Sequence, residues 1–202
     1  MAHFQLKSLR DLFVVVAHPP DPDSQLVMQQ FKRIGCRTEA AWPIPRDLPQ
    51  ATDILVAAIG HDHHKALKST LRRAGARRPD VIALADYENP AMLELMLDLE
   101  ALAVISKPVR PFGILTNVVV ARNVSLTNKA LVSRIRRLEL RMEGQKKIAK
   151  AKAILMETQA IAEEDAYKII RAQAMTKRIS IEEMADAVIY AHDLLSGRTS
   201  AP

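Results

Sequence analysis

Four short runs of apolar residues, none of them broken by a polar side chain, recur along the first 110 residues. They are Leu12–Ala17, Ile54–Ile59, Val81–Ala85 and Ala103–Ile105. Because none alternates apolar with polar residues, each run predicts a strand covered on both faces, which is typical of a parallel sheet. A weaker fifth strand is predicted around Thr38–Ala41. This pattern indicates an α/β fold.

Amphipathic segments lie between these runs and predict helices that cover the sheet. Ser24–Ile34 places its apolar residues near one face and stops at Gly35, and His64–Ala74 stops at Gly75 in the same way. Pro90–Leu99 begins with proline at the first helical position. The predicted fold of residues 1–111 is therefore a five-stranded, doubly wound parallel sheet, with further helices after it.

A long helix is predicted over residues 112–144, where no proline interrupts the chain. Positions spaced alternately three and four residues apart form a coiled-coil seam there, which predicts a parallel homodimer. Two asparagines in the seam would fix its register. The alternative is that this stripe packs on the chain's own sheet or on its C-terminal helices. The seam consists of Ile114, Asn117, Ala121, Val124, Asn128, Leu131, Ile135, Leu138 and Met142.

Gly144 is predicted to end the long helix, and residues 145–197 are predicted to form a compact unit of three short helices. These are Gln145–Thr158, Ala162–Thr176 and Ser180–Leu195, the last with a capping box at its start. Alanines on all three helices would permit close packing of the helix axes. They are Ala149, Ala151, Ala153, Ala166, Ala172, Ala174, Ala185 and Ala187. Residues 198–202 are expected to be a disordered tail.

The positive charge of the chain is concentrated in one segment. Lys129–Arg178 contains 13 basic and 6 acidic residues, a net charge of +7, whereas the remainder has 16 basic and 17 acidic residues. A local basic surface indicates a polyanionic partner, usually nucleic acid, although a solvated helix face has a similar composition. No set of residues in this segment resembles a nucleophile with its base, so neither enzymatic activity nor a cofactor is expected.

The sequence gives little support for a membrane protein or for a protein with disulfide bonds or a metal site. No run reaches the roughly 18 apolar residues of a membrane span, and the N-terminus does not resemble a signal peptide, so a cytoplasmic protein is expected. Cys36 is the single cysteine and is predicted to be a small buried apolar residue. The cluster His61–His64 is expected in a polar loop without a metal ion, because adjacent side chains diverge. A pH-sensitive contact surface is the alternative for this cluster.

The predicted sheet resembles the receiver domain of bacterial response regulators, and Lys107-Pro108 matches the Lys-Pro that follows the fifth strand in that family. Receivers carry an acidic pair after the first strand, a phosphate-accepting aspartate at the end of the third, and serine or threonine after the fourth. This sequence has Ala17-His18, Ala58 and Ala85 at those positions. Alanine cannot accept a phosphoryl group, so Ala58 marks a degenerate acceptor position, and regulation by protein contact or ligand is expected instead.

A second resemblance covers residues 147–188, which look like the ANTAR domain, a three-helix RNA-binding module of transcription antitermination regulators. The motif residues are Ala151-Lys152, Leu155-Met156, Ala166-Tyr167, Arg171, Ala174-Met175, Arg178 and Ala185. The degenerate receiver, the helical stalk and this module together resemble antiterminators of the AmiR and NasT type, and the amidase-operon regulators among them most closely.

This resemblance implies binding to paired hairpins in a leader mRNA, which prevents a terminator from forming. It also implies control by an amide-sensing negative regulator protein. Lys152, Arg171 and Arg178 are the family positions for RNA contact, and Tyr167 is expected either to stack on a base or to lie in the core. The full set of candidate RNA-binding residues is Lys147, Lys150, Lys152, Tyr167, Arg171, Lys177 and Arg178.

The sequence is also compatible with two other functions. The basic unit could bind DNA, although Ala162–Thr176 offers few base-reading side chains beyond Gln173. Alternatively, the sheet domain could be an enzyme or a small-molecule sensor. Lys107 has lost its family partner and could equally be a surface lysine beside a proline turn.

Overall fold

The computed structural model describes residues 6–87 and 89–197, so the predicted tail lies outside the described residues. The chain divides into two compact units, Met1–Ala130 and Leu131–Pro202. One helix, α4, extends from the first unit into the second. The elements of the first unit are β1 (Phe13–Ala17), α1 (Pro22–Ile34), β2 (Arg37–Ala40), β3 (Ile54–Ala58), α2 (His61–Ala74), β4 (Asp80–Ala85), α3 (Pro90–Asp98), β5 (Ala103–Ser106) and the start of α4 (Ile114–Gln159).

The five strands form one parallel sheet in the order β2-β1-β3-β4-β5, which confirms the predicted doubly wound fold. All residues of β1, β3 and β4 are buried, as their unbroken apolar runs predicted. The same prediction is wrong for β5, which is only partly buried because it forms an edge of the sheet. In the sheet register, Val16 lies opposite Ala40 on one side and Val56 on the other. Strand β2 forms an edge and is largely exposed, which explains its weak sequence signal.

Alternate residues of each strand face two separate hydrophobic cores. Val14 and Val16 face the core that α1 and the start of α4 cover. Val15 and Ala17 face the core that α2 and α3 cover. The connection from β2 to β3 contains no helix, and its proline-rich chain packs partly buried apolar side chains onto this second core.

Helix α4 is continuous from Ile114 to Gln159, so the prediction that Gly144 ends it is wrong. Gly144 is buried, and a Cβ atom there would lie 2.8 Å from Cγ of Glu182. Its lack of a side chain therefore serves close packing within the second unit. A mid-helix glycine costs only about 1 kcal/mol relative to alanine, which packing readily offsets.

The part of α4 that packs on the sheet is held there by polar contacts around the buried carboxylate of Asp80. Asp80, at the start of β4, accepts hydrogen bonds from Arg122 at 2.9 Å, Ser125 at 2.5 Å and Lys129 at 3.0 Å. Arg122 also donates to Asp53 at 3.0 Å. Ile114 and Ala121 pack into the first core, so part of the predicted seam faces the sheet.

The second unit contains the end of α4, α5 (Glu163–Lys177) and α6 (Ile181–Leu195). Its core combines Leu155, Ile170 and Met184 with small residues where the helices meet. Only half of the predicted alanines form these contacts, namely Ala151, Ala166, Ala174 and Ala185. The remaining four are exposed, because a helix buries only the stripe that faces its neighbours: Ala149, Ala153, Ala172 and Ala187.

The helix ends of this unit follow from local chemistry. Ser180 and Glu183 form the predicted capping box of α6, with hydrogen bonds of 2.8 and 3.1 Å. The backbone hydrogen bond from Ser180 holds the pKa of Glu183 below its usual value. Arg178 follows α5 in the left-handed region, with φ of 56°, and its N–H closes the last turn.

The histidine cluster is not a loop, because His61–His64 forms the first turn of α2 with Gly60 as N-cap. An unusually polar first turn and a preceding glycine concealed this helix start in the sequence. Cys36 is buried, as predicted, and its thiol donates to the carbonyl oxygen of Leu9 at 3.1 Å. Burial raises the pKa of this thiol.

Candidate nucleic-acid interface

The carboxyl ends of the strands meet where a receiver would hold its phosphoryl group. Ala58 ends β3 and Ala85 ends β4, and both are buried. Lys107 follows β5, and its Nζ lies 3.1 Å from Asp86 and 3.6 Å from Asp21. Lys107 is thus paired with two carboxylates and is not a solitary surface residue.

The carboxylates near this edge already have structural partners. Asp21 is the N-cap of α1 and accepts from the Ser24 N–H at 2.7 Å. Burial opposes ionisation of Asp21, but the hydrogen bond from Ser24 and the positive charge of Lys107 hold its pKa below the usual value. Asp23 accepts from the Val109 N–H at 2.7 Å. These side chains stabilise the edge as it stands.

The described histidines of α2 make divergent contacts. The ring of His63 meets Trp42 edge-on, with 4.8 Å between ring centroids. His64 Nε2 lies 2.7 Å from Asp98, which also accepts from Lys68. Hydrogen bonds from Lys68 lower the pKa of Asp98. Within residues 6–87 and 89–197, no group of three or more His, Cys, Asp or Glu side chains could hold a metal ion.

Two candidate RNA-binding lysines, Lys147 and Lys150, face α6. Lys147 donates to Asp186 at 2.6 Å, and Lys150 lies 3.7 Å from Asp193. The hydrogen bond to Asp186 raises the pKa of Lys147. Each lysine therefore has an acidic neighbour within its own unit, and its charge is partly neutralised there.

Lys152 faces the other side of α4, toward α5. Its Nζ donates to Glu163 at 2.5 Å, which lowers the pKa of that carboxyl. Glu163 lies in the first turn of α5, where acidic side chains complement the helix dipole. Tyr167 is four residues further along and so shares the Glu163 face. This arrangement brings Lys152 and Tyr167 to the same side of the unit.

A polar and aromatic stripe continues along α5 beside its buried face. Tyr167, Arg171 and Met175 are spaced four residues apart and are exposed, and Arg178 follows at the helix end. The buried stripe next to them is Ala166, Ile170 and Ala174. Tyr167 is 39% exposed, so it borders the core without being enclosed by it. Lys177 is exposed but lies on a different face of α5.

Several cations differ from the lysines above in having no acidic partner. Among the described residues, Arg171, Lys177 and Arg178 form no ion pair within 4.0 Å. Five exposed cations on α4 share this property and were not among the predicted site residues, although the charge count of the segment included them. They are Arg134, Arg136, Arg137, Arg141 and Lys146.

The remaining part of the predicted seam is open to solvent. Its apolar members are 39–58% exposed, and Asn128 between them is exposed as well. On a single helix, such a continuous exposed apolar stripe indicates a surface for a partner. These members are Val124, Leu131, Ile135, Leu138 and Met142.

The combination of a receiver-like sheet domain and a small basic helical unit defines a class of response-regulator-like proteins. Consistent with the fold, the response regulator StyR has a TM-score of 0.53 at 13% identity, over 89% of this chain and 98% of its own. The AmiR N-terminal family matches residues 12–122, and the ANTAR domain family matches residues 136–189.

Two characterised relatives are similar over much of the chain. The aliphatic amidase regulator of Pseudomonas aeruginosa is 32% identical over 188 residues, covering 93% of this chain and 96% of that protein. The transcriptional regulatory protein PdtaR of Mycobacterium tuberculosis is 22% identical over 137 residues, covering 68% and 67%. The chain belongs to the AmiR family of ANTAR-domain transcription regulators.

Family membership makes the chain a regulator of transcription and not an enzyme. The five-stranded sheet, the long helix and the C-terminal helices agree with this assignment. In the part of the chain that the structure describes, no helix combines the length and the apolar character of a membrane span.

Proposed function

We propose that the protein is an RNA-binding transcription antiterminator that binds hairpins in a leader mRNA and prevents formation of a terminator. The observation that carries the proposal is the stripe along α5. It combines an exposed aromatic ring with two cations that lack acidic partners among the described residues, Arg171 and Arg178. Unpaired RNA bases stack on aromatic rings, and guanidinium groups bind phosphates and base edges.

Lys152 extends this surface, although it is paired with Glu163 in the free protein. Glu163 is 65% exposed, so solvent screens the pair and RNA phosphate can replace the carboxylate at little cost. Lys147, Lys150 and Lys177 lie on other faces and would contribute to the general positive field. The proposed RNA-binding surface is therefore smaller than the set of residues predicted from sequence. It is centred on Lys152, Tyr167, Arg171 and Arg178.

The exposed seam of α4 supports a homodimer. A parallel pair of α4 helices would bury the apolar stripe and place two RNA-binding units side by side, which matches a target with two hairpins. Asn128 within the stripe would favour a single register. Two linked units also raise the effective concentration of the second binding event, so the avidity exceeds that of one unit.

Control without phosphorylation is supported by the degenerate acceptor edge. Ala58 has no side-chain group that could accept a phosphoryl group, and Lys107 forms ion pairs with Asp86 and Asp21. Signal input would then come from a protein or a ligand. An amide-sensing negative regulator stays a prediction of the family resemblance.

The function is tested by recovering RNA that is cross-linked to the protein in cells and measuring its affinity in vitro. We expect recovered leader sequences with tandem hairpins, bound with strong salt dependence, and weaker binding of duplex DNA of the same sequence at the same salt. Tighter binding of the duplex would instead establish DNA as the target.

The site is tested with the double variant Lys152→Ala and Arg171→Ala. Each lost charge-assisted hydrogen bond removes about 1.5 kcal/mol, so the affinity for the hairpin RNA should fall by about a hundredfold. A matched control is the variant Lys65→Ala and Arg72→Ala, which removes two exposed cations of α2. Equal affinity in the two double variants would show that RNA binds elsewhere.

A further inference from the structure

A cavity of about 570 Å³ lies beside the carboxyl ends of β1 and β2, on the face that α1 covers. Pockets of 300–1,000 Å³ with mostly apolar walls and a few polar groups are typical of small-molecule sites. Val16 and Ala40, which are neighbours in the sheet register, form part of the lining. The other lining residues are His18, Pro20, Ser24, Gln25, Met28, Gln29, Lys32 and Trp42.

His18 is a polar lining residue that the fold leaves incompletely hydrogen-bonded. The residue is 3% exposed, and its Nδ1 lies 2.7 Å from the carbonyl oxygen of Pro19. A carbonyl oxygen can only accept, so Nδ1 carries the hydrogen and donates. In the neutral imidazole, Nε2 is then an acceptor, and it is buried without a hydrogen-bond partner among the described residues. Buried polar atoms rarely lack a partner in native proteins.

We propose that this cavity binds a small neutral molecule with an apolar body and a hydroxyl or amide N–H donor, and that Nε2 of His18 accepts its hydrogen bond. The apolar side chains of Val16, Met28 and Trp42 would cover the apolar body. A neutral ligand fits because Lys32, the one charged side chain in the described lining, is exposed at the surface. A buried charge without a partner would be strongly unfavourable.

The position of Trp42 gives an occupant a route to the rest of the domain. The Trp42 ring contacts His63 edge-on at an interplanar angle of 86°. His63 lies in the first turn of α2, which begins three residues after Ala58. A molecule that packs against Trp42 would therefore act on the helix that follows the degenerate acceptor position. This inference does not depend on RNA binding.

Trp42 is the single tryptophan of the chain, so its fluorescence reports on the cavity directly. The probes are cyclohexanol and methoxycyclohexane, which share an apolar ring and do not absorb with tryptophan, but only the first has a donor. Both probes should give saturable changes in Trp42 fluorescence at pH 8. The ether should bind about fivefold more weakly, as expected for one lost neutral hydrogen bond.

Variants test the location and the acceptor separately. Ala40→Leu fills the cavity from the edge strand and should abolish both responses, whereas Glu39→Leu, on the opposite face of β2, should leave them unchanged. His18→Phe should equalise the two probes. If circular dichroism shows that His18→Phe does not fold, the difference in affinity between the two probes for the unaltered protein still tests whether the cavity accepts a hydrogen bond. A non-saturable response, equal affinities in the unaltered protein, or binding that survives Ala40→Leu would overturn the proposal.

Discussion

Replacing Arg178 by glycine should increase the stability of the protein and weaken its RNA binding. Arg178 has φ of 56°, in the left-handed region that glycine adopts without steric cost. Its N–H closes α5 through the carbonyl oxygens of Ala174 and Met175, and glycine preserves these backbone contacts. Its guanidinium has no ion-pair partner among the described residues, so no internal contact of that kind is lost.

The magnitude follows from two opposing terms. The left-handed conformation costs an L-residue about 1–2 kcal/mol, which glycine avoids. The greater freedom of glycine in the unfolded chain opposes this gain by about 0.5–1 kcal/mol. The net gain is therefore about 0.5–1 kcal/mol, which raises the melting temperature of a chain of this size by about 2 °C. Loss of one charge-assisted contact should reduce RNA affinity by about tenfold and lower the slope of log affinity against log salt by about 1.

Stability is measured by thermal unfolding followed by circular dichroism. RNA affinity is measured by filter binding at several salt concentrations, with the hairpin RNA that was identified by cross-linking in cells. Ala160→Gly is the matched control, because Ala160 directly follows α4 with φ of 53° and carries no charge. It should show the same stabilisation with unchanged affinity. If Arg178→Gly binds RNA as tightly as Ala160→Gly, Arg178 is not an RNA contact. If it is less stable than the unaltered protein, the backbone reasoning fails.

Three further predictions address the rest of the chain. Glu163 and Glu183 have lowered pKa values, so their contribution to stability is complete above pH 4.5 and is lost as the pH falls through their folded pKa values. When both are replaced by glutamine, the free energy of unfolding measured in urea should therefore decrease less on acidification than it does in the unaltered protein. If α4 forms the proposed dimer, light scattering should show that Ile135→Glu is a monomer, whereas Leu140→Glu, exposed on another face of α4, should stay dimeric. Asp80→Asn should lower the free energy of unfolding by about 3 kcal/mol in urea, because it removes the buried carboxylate that pairs with Arg122 and Lys129 and leaves Arg122 with Asp53 alone. A change below 1 kcal/mol would contradict this.

Local patterns in the sequence were sufficient for most of the architecture. Unbroken apolar runs identified β1, β3 and β4, because a strand buried on both faces needs apolar residues at every position. The run at β5 located that strand as well, although β5 is a partly exposed edge. The capping box of α6 and the glycine after α1 were equally local signals. The degenerate acceptor position at Ala58 is a prediction from the alignment of that strand with the receiver pattern. The RNA-binding residues remain predictions.

Contacts between segments far apart in the chain were not available from these patterns. In the sequence, Gly144 resembles the glycine that ends a helix. The structure shows instead that α4 continues through Gly144 and that glycine is needed there for close packing against Glu182. The face of each basic residue was also decided by tertiary structure, since Lys150 and Lys152 are two residues apart yet pair with α6 and α5.

The sequence by itself determined the strands of the sheet, most of the helices, the alanine at the end of β3 and the segment that carries the positive charge. These properties depend on residue type and on periods of two or three to four residues. Tertiary structure alone decided which seam positions pack on the sheet, which cations have acidic partners, and where a cavity lies beside His18 and Trp42. Each of these depends on distances between residues that only the folded chain brings together.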